Sequence, residues 1–311
     1  MPSLKAIRKR IASVKNTRKI TAAMKLVAGS RLRRAQENMM AARPYAQRMQ
    51  DVIAELAARA GASADFEGPA AHPLLERRDG KNVAMVLLTS DRGLCGGFNS
   101  NLNRRVERFI VDNGDRFDSV KLSIVGRKGK EYFRRRTSPI TSQVREWPAA
   151  NNVAAADELA KAITAAIIAD FTGIWNDETQ ERDLTNRVDE IYLVYNQFKS
   201  AMSQEVTIVP LLPVVPVPLD DSFGLNDFAY EPSREVLLGH LLPLYLKSQI
   251  YRAILESIAS EFGAKMSAMD SATKNASDMI SALTLQFNRA RQAAITKELM
   301  EIIGGAEALK E

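Results

Sequence analysis

Several residue types are scarce in this chain of 311 residues, and each scarcity excludes something. There is one cysteine, Cys95, so no disulfide can form within the chain and a reducing compartment is expected. There are two histidines, His72 and His240, far apart and in no ligand-spaced cluster, which argues against a histidine-based metal or acid–base centre. His72 precedes Pro73 in a loop and His240 falls on a helical stretch, so both read as surface or packing residues. No run of about 18 apolar residues occurs, so no bilayer-spanning helix is expected. The opening "MPSLKAIRKR" lacks the apolar core of a secretion signal and reads as the start of a long ordered helix, which suggests a bacterial cytoplasmic origin. Finally, no Asp or Glu occurs from Met1 to Gln36, although eleven Lys or Arg do. A solvated helix normally mixes signs to gain i,i+4 pairs, so a purely positive one is expected to face something negative.

What is present is enough for a sizeable core. Hydrophobic residues make up 46% of the chain, the net charge is +6, and the mean hydropathy is −0.19 with a pI near 9.4. Three territories follow one another. In the first, Leu4, Ile7, Ile11 and Val14 recur at the three- and four-residue spacing of one helical stripe, continued less regularly by Ile20, Met24, Val27, Leu32, Ala35 and Met39. At about 1.5 Å per residue such a helix would be far longer than a globular one. The second territory holds four expected strands, 83–89, 120–126, 190–198 and 204–214. Helical patterns lie between them at 101–111, 128–135 and 153–171. That alternation implies a mostly parallel sheet finished by an antiparallel hairpin. The polar stretch 172–187 reads as a surface insertion. In the third, the intervals from Phe262 through Met266, Met269, Thr273, Ala276, Ile280, Leu283, Phe287 and Ala290 to Ala294 alternate four and three. This is a coiled-coil seam, expected to end at Gly304 and Gly305.

The fold expectation is therefore α/β: a long antiparallel coiled coil of N- and C-terminal helices with an inserted Rossmann-like α/β domain. Its divisions are 1–58 for the first helix, 59–80 for a connecting segment, 81–218 for the α/β domain and 219–311 for a linker and the second helix. The second helix is the longer, so its tip is expected to extend past the first unpaired.

The glycine-rich turn "TSDRGLCGGFN" (89–99) poses the question of a nucleotide site. It matches neither GxxxxGK[ST] nor GxGxxG, and Asp91 would repel phosphate. A strand-to-helix corner is the better reading. Cys95 reads as a small buried hydrophobe, and Arg134–Arg136 as a solvated helix end that could also meet a polyanion. No catalytic constellation emerges. By contrast, "RQAAITKELMEIIGGAEAL" (291–309) sets Arg291, Gln292, Thr296 and Glu298 among apolar residues that a soluble chain would cover with a partner.

Four separated stretches carry a family resemblance: "KAIRKRIASVKNTRKITAAMKLVAGS", "TSDRGLCGGFN", "LLPLYLKSQIYRAILES" and "RQAAITKELMEIIGGAEA". Over essentially its whole length the chain resembles the gamma subunit of the F-type ATP synthase. The last stretch is similar to the family's C-terminal pattern at Ile295, Thr296, Glu298, Glu301, Gly305 and Ala306. The resemblance implies a central rotor shaft without catalytic residues, cofactor or metal of its own. It would turn inside three alpha and three beta subunits, join an epsilon subunit and rest on the membrane c ring, one copy per complex. It also implies a peripheral position on the cytoplasmic side of the bacterial inner membrane, coupling proton-driven rotation to ATP synthesis or hydrolysis on beta.

Carried over residue by residue, Met24 and Lys25 match a coupling-sensitive site. Arg291, Gln292, Thr296 and Glu298 match polar contacts to beta, and Tyr230 and Glu231 match a foot segment near the c ring. Gly29 departs from the family's usual alanine, and the 173–187 insertion is extra to many members. The rival from another class is a nucleic-acid-binding protein with a basic helical arm, although residues 1–40 contain no aromatic side chain. A nucleotide-dependent enzyme is the third option.

Overall fold

The computed structural model describes residues 3–59, 72–78, 80–136, 141–176, 181–184, 187–214, 231 and 233–308. Two helices dominate, α1 (Leu4–Arg59) at one end of the chain and α5 (Arg234–Ala308) at the other. Both contain a proline, Pro44 in α1 and Pro243 in α5, and both continue past it. Gly304 and Gly305 do not end α5, which runs on to Ala308. Two glycines weaken a helix by only about 1 kcal/mol each, which the preceding turns outweigh.

The contacts divide the chain into two compact units, one formed by residues up to Ser30 and from Lys265 onward, the other by Arg31–Ala264. In the first, the helices run antiparallel. Arg8 lies over the ring of Phe287 at 5.6 Å, the Thr21 and Thr273 hydroxyls are 2.8 Å apart, Lys25 meets Asp270 and Gly29 faces Met266. As the α1 number rises, the α5 number falls. The buried seam is Ile7, Thr21 and Ala28 against Met269, Ala276 and Leu283. Ile20 and Val27, expected in the stripe, are exposed at 60% and 54%. A strict alternation of three and four from Val14 reaches Thr21 and Ala28, and Ile20 and Val27 stand one position off that line.

The second unit is built on a five-stranded sheet ordered β3-β2-β1-β6-β7. Its strands are β1 (Asn82–Leu88), β2 (Ser119–Val125), β3 (Thr141–Trp147), β6 (Glu190–Phe198) and β7 (Gln204–Leu212). The first four are mutually parallel, and β7 returns antiparallel to β6. Helices α2 (Phe98–Asp112), α3 (Arg127–Phe133) and α4 (Val153–Thr172) make the crossovers. Asn152 caps α4, its side-chain oxygen accepting from the Ala155 amide at 2.8 Å.

Two apolar layers flank the sheet. One gathers Val83, Met85 and Leu87 with Leu102, Val106 and Ile110 of α2. The other gathers Val86 and Leu88 with Ile163, Ile167 and Phe171 of α4 and Leu242, Leu246 and Ile250 of α5. Strand β3 has no counterpart in the sequence expectation. It is an edge strand of mostly polar residues, so it carries no apolar run to announce it. The polar stretch 173–187 contains a short antiparallel ribbon of β4 (Ile174–Asn176) and β5 (Glu181–Asp183).

Candidate partner-contact surface and the glycine turn

A parallel sheet of this winding offers a ligand crevice where consecutive crossovers diverge, beyond the carboxyl ends of β1 and β6. The glycine turn lies there, and protein fills the crevice. Cys95 and Phe98 pack with Ala264 of α5 in a small buried cluster. The Ser257 hydroxyl donates to the carbonyl of Leu88 at 3.4 Å. Ser260 donates to the carbonyl of Asn196 at 2.8 Å, and the Asn196 amide reaches the carbonyl of Phe98 at 3.4 Å. The space left between β1, Phe98 and α5 is about 20 Å³, the room of a single water.

The turn itself is held by its own side chains. Thr89 Oγ1 donates to the carbonyl of Val125 at 2.6 Å and accepts from the Gly129 amide at 3.0 Å, while Asn99 bridges back to Ser90. Gly126 has φ +88°, and a Cβ there would run into the Thr89 carbonyl, so only glycine fits that crossing. The glycines make a corner.

Near the middle of the helical pair, Lys25 Nζ lies 2.7 Å from Asp270 Oδ1, and Lys274 approaches the other oxygen at 3.1 Å. The hydrogen bond from Lys25, then that from Lys274, holds the Asp270 carboxyl below its ordinary range. Of the expected pair, Lys25 thus has its charge matched within the chain, whereas Met24 is half-buried beside it. Lys5, Lys9, Arg10, Lys15, Arg18 and Lys19 are exposed along the same helix. They give this stretch of the helix a positive surface, and the apolar side chains Ile20, Leu26 and Val27 are exposed on it as well. Asp270 and the Thr21–Thr273 contact went unseen in the sequence. The one available signal was a lone carboxylate beside the seam residue Met269.

Beyond Phe287, α5 carries Arg291, Gln292, Thr296 and Glu298, all exposed. Ile295, Leu299, Ile302 and Ile303 are also exposed, from 49% to 71%. Helical geometry puts Ile295, Leu299 and Ile302 on one side with Arg291 and Gln292, while Lys297 and Glu301 pair at 3.6 Å on the other. At the other end of α5, Glu231 is exposed. Tyr230 lies outside the described residues. His240 is exposed, and His72 Nδ1 accepts from the Leu74 amide at 3.2 Å as the cap of a short 3-10 turn.

An antiparallel pair of chain-terminal helices, with the sequence of a Rossmann-like sheet between them, defines the central-stalk class of protein. The family model described as ATP synthase matches residues 3–309. The ATP synthase gamma chain of Anaeromyxobacter sp. (strain Fw109-5) is 50% identical over 310 residues, covering 100% of both chains. This chain belongs to the ATP synthase gamma-chain family. Solved structures agree in fold. A chain from the Tetrahymena thermophila mitochondrial ATP synthase central stalk and c ring has TM-score 0.54 and 25% identity over 81% of this chain and 99% of that one. A chain from the Euglena gracilis mitochondrial ATP synthase rotor has TM-score 0.57 and 16% identity over 94% and 98%. The nucleic-acid-binding alternative receives no support from these relatives.

Proposed function

We propose that this chain is the rotor shaft of an F-type ATP synthase and takes no part in the bond chemistry. Its helical pair turns inside a sleeve of three alpha and three beta subunits, one copy per complex. The α/β domain, residues 81–218, forms a foot with an epsilon subunit and the c ring, on the cytoplasmic face of a bacterial inner membrane. In this division residues 1–58 and 219–311 supply the shaft and 59–80 link it to the foot. The solved relatives support the c-ring and sleeve assignments through their assemblies, a central stalk with c ring and an F1 with c ring.

One observation carries the reading. The end of α5 beyond Phe287 exposes Ile295, Leu299, Met300, Ile302 and Ile303 together, a patch that water disfavours and a surrounding protein collar would cover. Arg291, Gln292, Thr296 and Glu298 are the polar contacts of that collar, Met24 and Lys25 face beta lower down, and Tyr230 with Glu231 lie toward the c ring. Three identical beta sites can differ only if something asymmetric touches them differently. A rotating helical pair supplies that asymmetry and exchanges their conformations.

The test is removal of residues 291–311 followed by reconstitution with the partner subunits. The expected result is weaker assembly or fewer protons pumped per ATP hydrolysed. Assembly and ATP-driven rotation equal to those of the full chain would overturn the tip assignment.

A further inference from the structure

A cavity of about 400 Å³ lies between α1, the start of α4 and α5, and no residue of the tip or of the glycine turn lines it. We infer that it is a binding site for a small, net-neutral aromatic molecule with hydrogen-bonding groups on its edge. The size lies at the lower end of the range for small-molecule sites, which combine apolar and aromatic walls with a few placed polar groups. Tyr45 of α1 and Tyr251 of α5 line it, and such rings favour offset or edge-on contact with another ring. Ala42 and Ala46 leave the room.

The polar groups set the ligand's charge. Lys247 Nζ and Asp157 Oδ1 pair at 2.8 Å in the wall, so the lining is balanced, and a charged ligand would have to compete with that pair. The Ser248 hydroxyl donates to the Tyr245 carbonyl at 2.8 Å and keeps acceptor capacity. Asn38, half-buried in the lining, offers an amide that can both donate and accept. Burial, then the nearby Asp157, pushes the Tyr251 phenol above its ordinary value, so its hydroxyl stays a donor at neutral pH. The site is thus rich in neutral donors and acceptors around an apolar slot. It does not depend on the rotor reading.

The full-length chain is titrated with indole-3-carboxamide, followed by saturation-transfer NMR. Saturable binding is expected, roughly between millimolar and tens of micromolar for so small a probe. Ala42→Trp, which fills the slot, and Tyr251→Leu, which removes one ring at a partly exposed position, should each weaken it about tenfold or more. Naphthalene-1-sulfonate, a fused ring with a fixed charge, should also bind at least about tenfold more weakly. Thermal melts report whether each variant is folded, and Tyr251→Leu decides if Ala42→Trp is not. No saturable binding, or equal affinity in the parent and the folded variant, overturns the proposal. So does loss of binding when the chain is assembled with its partner subunits, which would make the cavity a subunit contact.

Discussion

The sheet-bearing unit, Arg31–Ala264, and the helical pair on either side of it in sequence bury very different chemistry. In the first, Val83, Met85, Val86 and Leu87 are essentially inaccessible, as are Leu102, Val106, Ile163 and Phe171. Each such side chain contributes about 1.5–3 kcal/mol when removed from water. In the second, the seam is thin and built of fewer large side chains: Ile7, Thr21 and Ala28 meet Met269, Ala276 and Leu283, joined by two hydroxyls and a partly exposed ion pair. The sheet holds itself together by apolar burial. The helical pair has only a narrow interface and exposes apolar residues on its outer faces, so it draws on whatever surrounds it.

That contrast can be broken most sharply at Phe171. Its ring is fully buried and lies 4.2 Å from the Arg78 guanidinium, which also donates to the carbonyls of Phe171 and Val188 at 2.8 and 3.0 Å. Phe171→Ala should cost about 3–5 kcal/mol by guanidinium unfolding; a loss no larger than that of a seam alanine substitution would mean the two regions are equally dependent on packing. Glu256 tests one of the sheet unit's awkward groups. It is buried with its Oε2 unbonded and Arg252 Nε 4.0 Å away. Burial pushes its carboxyl above the ordinary 4.5, against the pull of Arg252, Arg43 and Lys199.

Because the folded chain then holds that proton more tightly than the unfolded one, stability falls as pH rises from 4.5 through the raised value. Glu256→Gln should flatten that slope and leave the chain at least as stable at neutral pH, read from unfolding midpoints across the window. An unchanged slope would assign the pH dependence elsewhere.

Two smaller changes sharpen the helical side. At Gly29 an added Cβ would stand 3.4 Å from the flexible Met266 thioether. Gly29→Ala should therefore raise stability by about 0.5–1 kcal/mol through helix propensity, seen as a higher Tm by circular dichroism. A drop would show the interface tighter than it is here. The smallest effect belongs to Lys25→Met. The lowered Asp270 carboxyl contributes stability that is whole above its ordinary 3.8 and lost as pH falls through the folded value. Removing Lys25 should lower stability slightly at neutral pH and not at low pH, where Asp270 is protonated, so the acid limb of the stability curve becomes shallower.

The legibility of the two regions also differs. The inner strands β1, β2 and β6 were readable because a doubly covered strand must be an apolar run; of the two edge strands, β7 kept enough apolar residues to be read, and β3, mostly polar, did not. The α5 seam was readable from its spacing, yet α1 misled at Ile20 and Val27, where large apolar residues stand outside the seam and a threonine and an alanine stand in it. The glycine turn raised a nucleotide question that spacing alone could only lean against. The packing of Ser257, Ser260 and Ala264 into that crevice comes from residues more than 150 positions away in sequence and is the physical answer. Among the candidate contacts, the tip residues were visible as apolar letters with no internal partner, whereas the pairing of Lys25 with Asp270 joins residues 245 positions apart.

The sequence by itself determined most of the element types, the seam spacing of α5, the all-positive opening helix and the apolar tip, because periodicity and charge are properties of neighbouring residues. Only the tertiary structure decided which face of α1 is buried, that the crevice of the sheet is closed by α5, and that three helices leave a cavity between Tyr45 and Tyr251. Those outcomes depend on the register of segments far apart along the chain, and register is fixed by side-chain packing across the contact, which no local pattern encodes.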